Sequence, residues 1–145
     1  MIRPYTPSDE ERVLHIWRSA SAQAHPFLSA EQTAQAETMI RETFLPMAET
    51  WLACPGGTPA GFIALIGEEA GGLFVLPGFQ GLGLGRALLD HALTRRSRLE
   101  LDVFTENQRA LQFYCHYGFA KVEERMNALF GHSEIRMRYD PAGKS

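Results

Sequence analysis

Residues 73–89 run Leu73-Phe74-Val75-Leu76-Pro77-Gly78-Phe79-Gln80-Gly81-Leu82-Gly83-Leu84-Gly85-Arg86-Ala87-Leu88-Leu89. The first four residues are an apolar run with the length of a buried strand, and Pro77-Gly78 turns it. Glycines follow at 81, 83 and 85, and Arg86-Ala87-Leu88-Leu89 supplies strong helix formers. A strand that feeds a glycine-rich turn into a helix start is a phosphate site in outline. Glycines let backbone N–H groups converge, and the helix N-terminus adds free donors and the positive end of its dipole.

The spacing separates this loop from two better-known ones. A Walker A loop needs Lys-Ser or Lys-Thr after its glycines. The one Gly-Lys-Ser in the chain, Gly143-Lys144-Ser145, lies at the end with no helix to follow. The dinucleotide fingerprint needs Gly-x-Gly-x-x-Gly, and counting on from Gly83 the last position is Leu88. What remains is Gln80-x-x-Gly83-x-Gly85. It resembles the pyrophosphate loop of the GCN5-related N-acetyltransferases (GNAT family), which use acetyl-coenzyme A. A tight strand–helix turn with no ligand is the competing reading of the loop taken alone.

Met1–Tyr5 suits a short strand. Ser8 and Glu11 have the spacing of a capping box, with Val13, Leu14, Trp17 and Ala20 at helical period after it, so a helix is expected over about 9–22. His25-Pro26 breaks it. Ser29 and Gln32 restart a helix whose buried face would be Met39, Ile40, Phe44 and Leu45, with Pro46 at its end. Thr50–Cys54 and Gly61–Ile66 form a hairpin around Pro55-Gly56-Gly57. A helix over about 83–96 follows the glycine loop. Leu99, Leu101 and Val103 alternate with Glu100, Asp102 and Phe104 as a half-buried strand. A helix from Asn107 stops at Gly118. Phe119–Glu124 and Ile135–Tyr139 are the last strands. The order β-α-α-β-β-β-α-β-α-β-β predicts an α/β fold, a three-layer α/β/α sandwich with a mixed sheet.

A second stretch carries the same resemblance: Leu101-x-Val103-x-x-x-Asn107-x-x-Ala110-x-x-x-Tyr114-x-x-x-Gly118-Phe119. It is similar to the other GNAT signature, with an Asn and a Tyr on the last helix before a Gly-Phe. The segment Ala24–Glu31 resembles a bacterial subgroup of small acetyltransferases. The resemblance implies one N-acetyltransferase domain over 1–145, with about 141–145 a flexible tail, and a sheet that splays beside the central strand.

The composition is that of an ordinary soluble globular chain, 45% hydrophobic and 21% charged. A chain of 145 residues suits one domain, and 45% hydrophobic residues can bury a core. A net charge of −3 gives no reason to expect nucleic acid as ligand. Arg95, Arg96 and Arg98 fall where a helix should end and read as a solvated last turn. Cys54 and Cys115 have neither metal nor redox spacing, so no metal and reduced thiols in a cytoplasmic protein are expected. No apolar run approaches a membrane span, and MIRPYTPSDE has no signal-peptide core.

N-acetylation demands a neutral amine, a stabilised oxyanion and a proton for the departing thiolate. Freeing a lysine-type amine at neutral pH costs roughly 4 kcal/mol and an α-amine about 1. By the resemblance, Leu73, Phe74 and Val75 run along the pantetheine and offer N–H donors to the thioester oxygen. Gly81, Leu82, Gly83, Leu84, Gly85 and Arg86, with Gln80, take the pyrophosphate; alternatively Arg86 is a plain exposed helix arginine. Asn107 bonds the pantetheine amides, caps its helix, or does both. Tyr114 is the candidate acid for the thiolate, against a purely packing role.

The general base is open. Asp102, one before Val103, holds a position where some family members keep a catalytic carboxylate; the competing reading is a surface aspartate at the cleft's edge. His25 is the runner-up, since an ordinary imidazole titrates near 6.5 and the loop between the first two helices usually lines the acceptor site in this family. His132 ranks below it. Trp17, Phe27, Trp51 and Phe130 are candidate walls of an acceptor pocket. The expected activity is transfer from acetyl-CoA to a primary amine through a ternary complex. A non-catalytic acyl-CoA-binding module, a longer acyl donor and a nucleotide-phosphate binder are the rivals. Polyamine, aminoglycoside, free amino acid, protein lysine and protein N-terminus all stay open as acceptors, and so do monomer and homodimer.

Overall fold

A computed structural model describes residues 1–141. Of the tail expected at 141–145, all but the first residue lies outside the described residues. Seven strands form one sheet in the order β1-β2-β3-β4-β5-β7-β6. They are β1 Ile2–Pro4, β2 Glu49–Ala53, β3 Gly61–Ile66, β4 Glu69–Val75, β5 Leu99–Phe104, β6 Ala120–Asn127 and β7 His132–Tyr139. The β4–β5 pair is parallel and its neighbours are antiparallel, so the sheet is mixed.

Helices cover both faces. On one side α1 (Glu10–Ala24) buries Val13, Ile16 and Trp17 against Leu52, Phe62 and Ala64. On the other, α4 (Leu84–Arg95) and α5 (Gln108–Tyr117) bury Leu88, Leu89, Ala92 and Tyr114 against Ile63, Leu65, Leu99, Leu101 and Val103. The expected element order holds along the described residues, and two apolar layers sandwich the sheet.

The differences are local. The first helical turn is closed by Asp9 rather than by Ser8 and Glu11: its carboxylate accepts the Thr6 N–H at 2.9 Å and pairs with Arg3. After α2 (Ala30–Met39) the chain widens into a π turn, Ile40–Phe44, before the short α3, Leu45–Met47. Pro46 therefore sits inside the last turn, and the wide turn precedes the residue that has no N–H to give. That rotation leaves Met39 largely exposed while Leu45 is buried. Arg95 and Arg96 are not merely solvated: both pair with Glu49, and Arg98 pairs with Glu68.

One feature of the sheet prepares the site. β4 and β5 share a single register pair, Glu69↔Glu100, with the Glu100 N–H donating to the Glu68 carbonyl at 2.9 Å. Beyond it the strands part. Leu73, Phe74 and Val75 keep ladder partners on β3 alone, so their other edge of backbone groups opens into a cleft.

Candidate active site

The cleft has a volume of about 910 Å³ and lies between the free edge of β4, the glycine loop, the end of α1 and the first turns of α5. Every cofactor contact expected from sequence lines it except Leu82, which points outward and is 67% exposed.

Gly83 caps α4 with φ +83°, a left-handed conformation that disfavours residues with a Cβ. This fold of the loop leaves the first N–H groups of α4 without intrahelical partners, at the positive end of the helix. Gly85 faces α5: a Cβ there would meet the tip of the Phe113 ring at 3.2 Å, a tight contact that the ring would have to ease by a few tenths of an ångström. Gln80 does not reach into the loop. Its amide donates to the Val75 carbonyl at 3.1 Å and ties the loop to β4. Arg86 lines the cleft with its guanidinium 5.4 Å from the Tyr117 ring centroid. Arg109 adds a second cation on α5. N–H donors, a left-handed turn and two arginines form a set suited to a pyrophosphate.

Asn107 is the N-cap of α5: its Oδ1 accepts the Ala110 N–H at 3.3 Å. Its Nδ2 faces His25 Nε2 at 3.5 Å. Tyr114, two turns further along, packs edge-on between Phe113 and Phe119, each ring 5.3 Å away. Burial pushes the phenol above its ordinary value, so it stays protonated. Its hydroxyl makes no hydrogen bond to any described residue, and the residue lines the cleft.

The two base candidates stand elsewhere. Asp102 does point away from Leu101 and Val103, but onto a sheet face laced with charge. Its Oδ2 takes Arg136 at 3.1 Å and Arg125 at 3.2 Å, and it does not line the cleft. His25 sits behind the cleft wall, with Nδ1 3.2 Å from Ser21 Oγ and its ring among Phe27, Phe74 and Phe104. Burial pulls its imidazole down to about 4. Of the aromatic candidates, Phe27 lines the cleft. Trp17 is core, and Trp51 lies under α4 against His91. Phe130 packs on Phe104 with centroids 6.1 Å apart.

Sequence reasoning missed Glu106, Arg109 and Phe113. Glu106 and Arg109 flank the cap residue Asn107, and Phe113 is an aromatic on the cleft side of α5; proximity to the Asn–Tyr motif was the available signal.

Comparison with known proteins decides the family. Residues 46–121 match the acetyltransferase (GNAT) domain. The chain belongs to the GNAT family. It is 36% identical over 119 residues to the peptidyl-lysine N-acetyltransferase YjaB of Escherichia coli K12, covering 81% of this chain and 80% of that one. It is 30% identical over 124 residues to the peptidyl-lysine N-acetyltransferase YiaC of the same organism, covering 85% of each. The solution structure of apo YjaB from Escherichia coli superposes with a TM-score of 0.86 at 32% identity, over 96% of both chains. This GNAT protein is an N-acetyltransferase. Among the described residues no helix is long and apolar enough to cross a membrane.

Proposed function

We propose that this GNAT domain acetylates the side-chain amine of lysine in proteins or peptides, in the cytoplasm. The observation that carries the reading is that the free edge of β4, the glycine loop and Tyr114 line one cleft. The names of YjaB and YiaC support lysine as the acceptor.

In this reading those N–H groups of Leu73–Val75 that point to the free edge of β4 hold the thioester oxygen as it gains charge. The α4 N-terminus, with Arg86, holds the diphosphate. Asn107 orients the amides of the pantetheine arm with whatever hydrogen-bonding capacity its cap leaves. Tyr114 hands its proton to the sulfur. A phenol raised by burial is a poor acid for a thiolate near 8.5, so it acts as a relay: it gives a proton to sulfur as it receives one from the tetrahedral nitrogen. Neither cysteine lines the cleft, which favours direct transfer over an acyl-enzyme.

Asp102, ion-paired outside the cleft, is assigned to holding the β5–β7 face rather than to the base role. His25, drawn down by burial, is assigned to positioning Asn107. The test is calorimetric titration with acetyl-CoA, with ATP as control, followed by thiol release on lysine peptides. Acetyl-CoA binding with ATP silent and turnover on a lysine peptide is expected. Acetyl-CoA binding with turnover on polyamines or aminoglycosides and none on any lysine peptide refutes the acceptor assignment.

A further inference from the structure

Glu106 is the one carboxylate among the described residues that line the cleft. It lies between β5 and the cap residue Asn107. Its Oε1 meets His132 Nδ1 at 2.7 Å, and no described residue bonds its Oε2. His132, the first residue of β7, packs on Phe27 with ring centroids 4.6 Å apart. Phe27 in turn stands 5.3 Å from Phe104. Three segments distant in sequence therefore meet at one wall: the α1–α2 loop, the β5–α5 loop and the start of β7. Gln32 Nε2 donates to the Phe130 carbonyl at 3.1 Å and staples α2 to the β6–β7 loop over the same wall.

We propose that Glu106, held by His132 on the cleft wall that Phe27 also lines, docks the ammonium of the acceptor and so selects a cation carried on a slender aliphatic chain. The assignment rests on the lysine reading above and deepens it. The remaining charged groups of the cleft, Arg86 and Arg109, repel a cation and suit phosphate. Asp102 is committed to Arg136 and Arg125. Glu106 is thus the one anionic group left to attract the incoming amine. Aromatic walls suit both parts of such a side chain, since ring faces attract cations and their apolar area covers methylenes. His132 fixes Glu106 through Oε1 and leaves Oε2 for the ligand, as a supported binding group requires.

The experiment is steady-state kinetics of the full chain on a lysine peptide at saturating acetyl-CoA, for the wild type, Glu106→Gln, Glu106→Asp and His132→Phe. Acetyl-CoA affinity is titrated in parallel, and melting curves certify folding. Glu106→Gln is expected to raise the peptide KM about tenfold, the loss of one charge-assisted contact, with acetyl-CoA affinity changed less than about twofold. The wild-type KM is expected to rise with added salt, and that rise should flatten in Glu106→Gln, a response that a merely structural role would not produce. Glu106→Asp should recover part of the affinity, and His132→Phe should raise KM with a smaller effect on kcat. A peptide KM and salt response in Glu106→Gln equal to wild type, while the wild type turns over lysine peptides, overturns this assignment and leaves the lysine reading standing. A wild type that binds acetyl-CoA yet acetylates no lysine peptide overturns both. Should Glu106→Gln fail to fold, Glu106→Asp and His132→Phe decide by the same two readouts.

Discussion

His25 Nε2 stands 3.5 Å from Asn107 Nδ2 and joins the α1–α2 loop to the cap of α5 across the back of the cleft. The contact defines both side chains. Asn107 Oδ1 is committed to the Ala110 N–H, so the amide nitrogen faces the ring and Nε2 must accept. The imidazole proton then lies on Nδ1 and donates to Ser21 Oγ at 3.2 Å. A neutral ring satisfies both partners, and a protonated one would meet the amide N–H donor to donor.

That neutrality has a consequence for stability. Burial holds His25 at about 4 in the folded chain, below the ordinary value near 6.5 of an unfolded one. Above pH 6.5 neither state is protonated and the fold keeps its full stability. Between 6.5 and 4 the unfolded chain takes up a proton that the folded chain refuses, so stability falls as pH falls, by at most about 3 kcal/mol. Urea melts at pH 7 and pH 4.5 check this. His25→Gln should lose distinctly less stability over that interval than the wild type.

Tyr114→Phe separates chemistry from packing. The hydroxyl bonds no described residue and the ring supplies the packing, so the melting temperature should change little. Loss of a proton relay should lower kcat by about a hundredfold, with acetyl-CoA affinity retained. Thiol-release kinetics with a parallel titration measure both. A full-rate Tyr114→Phe would leave the residue as core alone.

The parts of this protein legible in its sequence are those whose signal is local. The glycine loop and the Asn107–Tyr114 motif each lie within about one strand-to-helix transition, where period and spacing govern the structure directly. The outward direction of Asp102 was equally readable from the alternation of Leu101 and Val103. Its partners were not, because Arg136 lies 34 residues away and arrives through the β5–β7 register. His25 likewise meets Asn107 across 82 residues. Glu106 carried no periodic signal at all. Its place in the cleft follows from where β5 ends and from His132, which a different strand supplies. Pro46 was readable as a helix end, and the helix stops at Met47; the wide turn at Ile40–Phe44 that precedes it had no local signal.

Asp102→Asn tests which link of that chain matters. Arg136 and Arg125 both bond the carboxylate, and Asp102 is only about one-fifth exposed, so neutralising it should cost about 1–2 kcal/mol of stability. Its distance from the cleft lining predicts a kcat within about threefold of wild type, far from the loss expected on removing a general base. Urea melts and thiol release on the same preparation check the pair. A hundredfold fall in kcat with unchanged stability would return Asp102 to the base role.

Gly83 tests the phosphate cradle. Its φ of +83° places it in the left-handed region, and open space surrounds the position, so a substitution acts through backbone strain rather than through collision. Gly83→Val should cost about 1–2 kcal/mol if the loop keeps its shape. Any relief of that strain turns the first N–H groups of α4 away from the cleft, so acetyl-CoA affinity should fall by more than about tenfold, roughly the loss of one or more charge-assisted contacts. Gly83→Asn is the internal control. Asparagine visits the left-handed region with far less penalty, so the loop should hold and most of the affinity survive. Titration with acetyl-CoA, alongside circular dichroism to certify the fold, reads both variants. Equal affinity in wild type and Gly83→Val would mean that the diphosphate is held by Arg86 and Arg109 without the backbone, and the cradle would lose its part in binding.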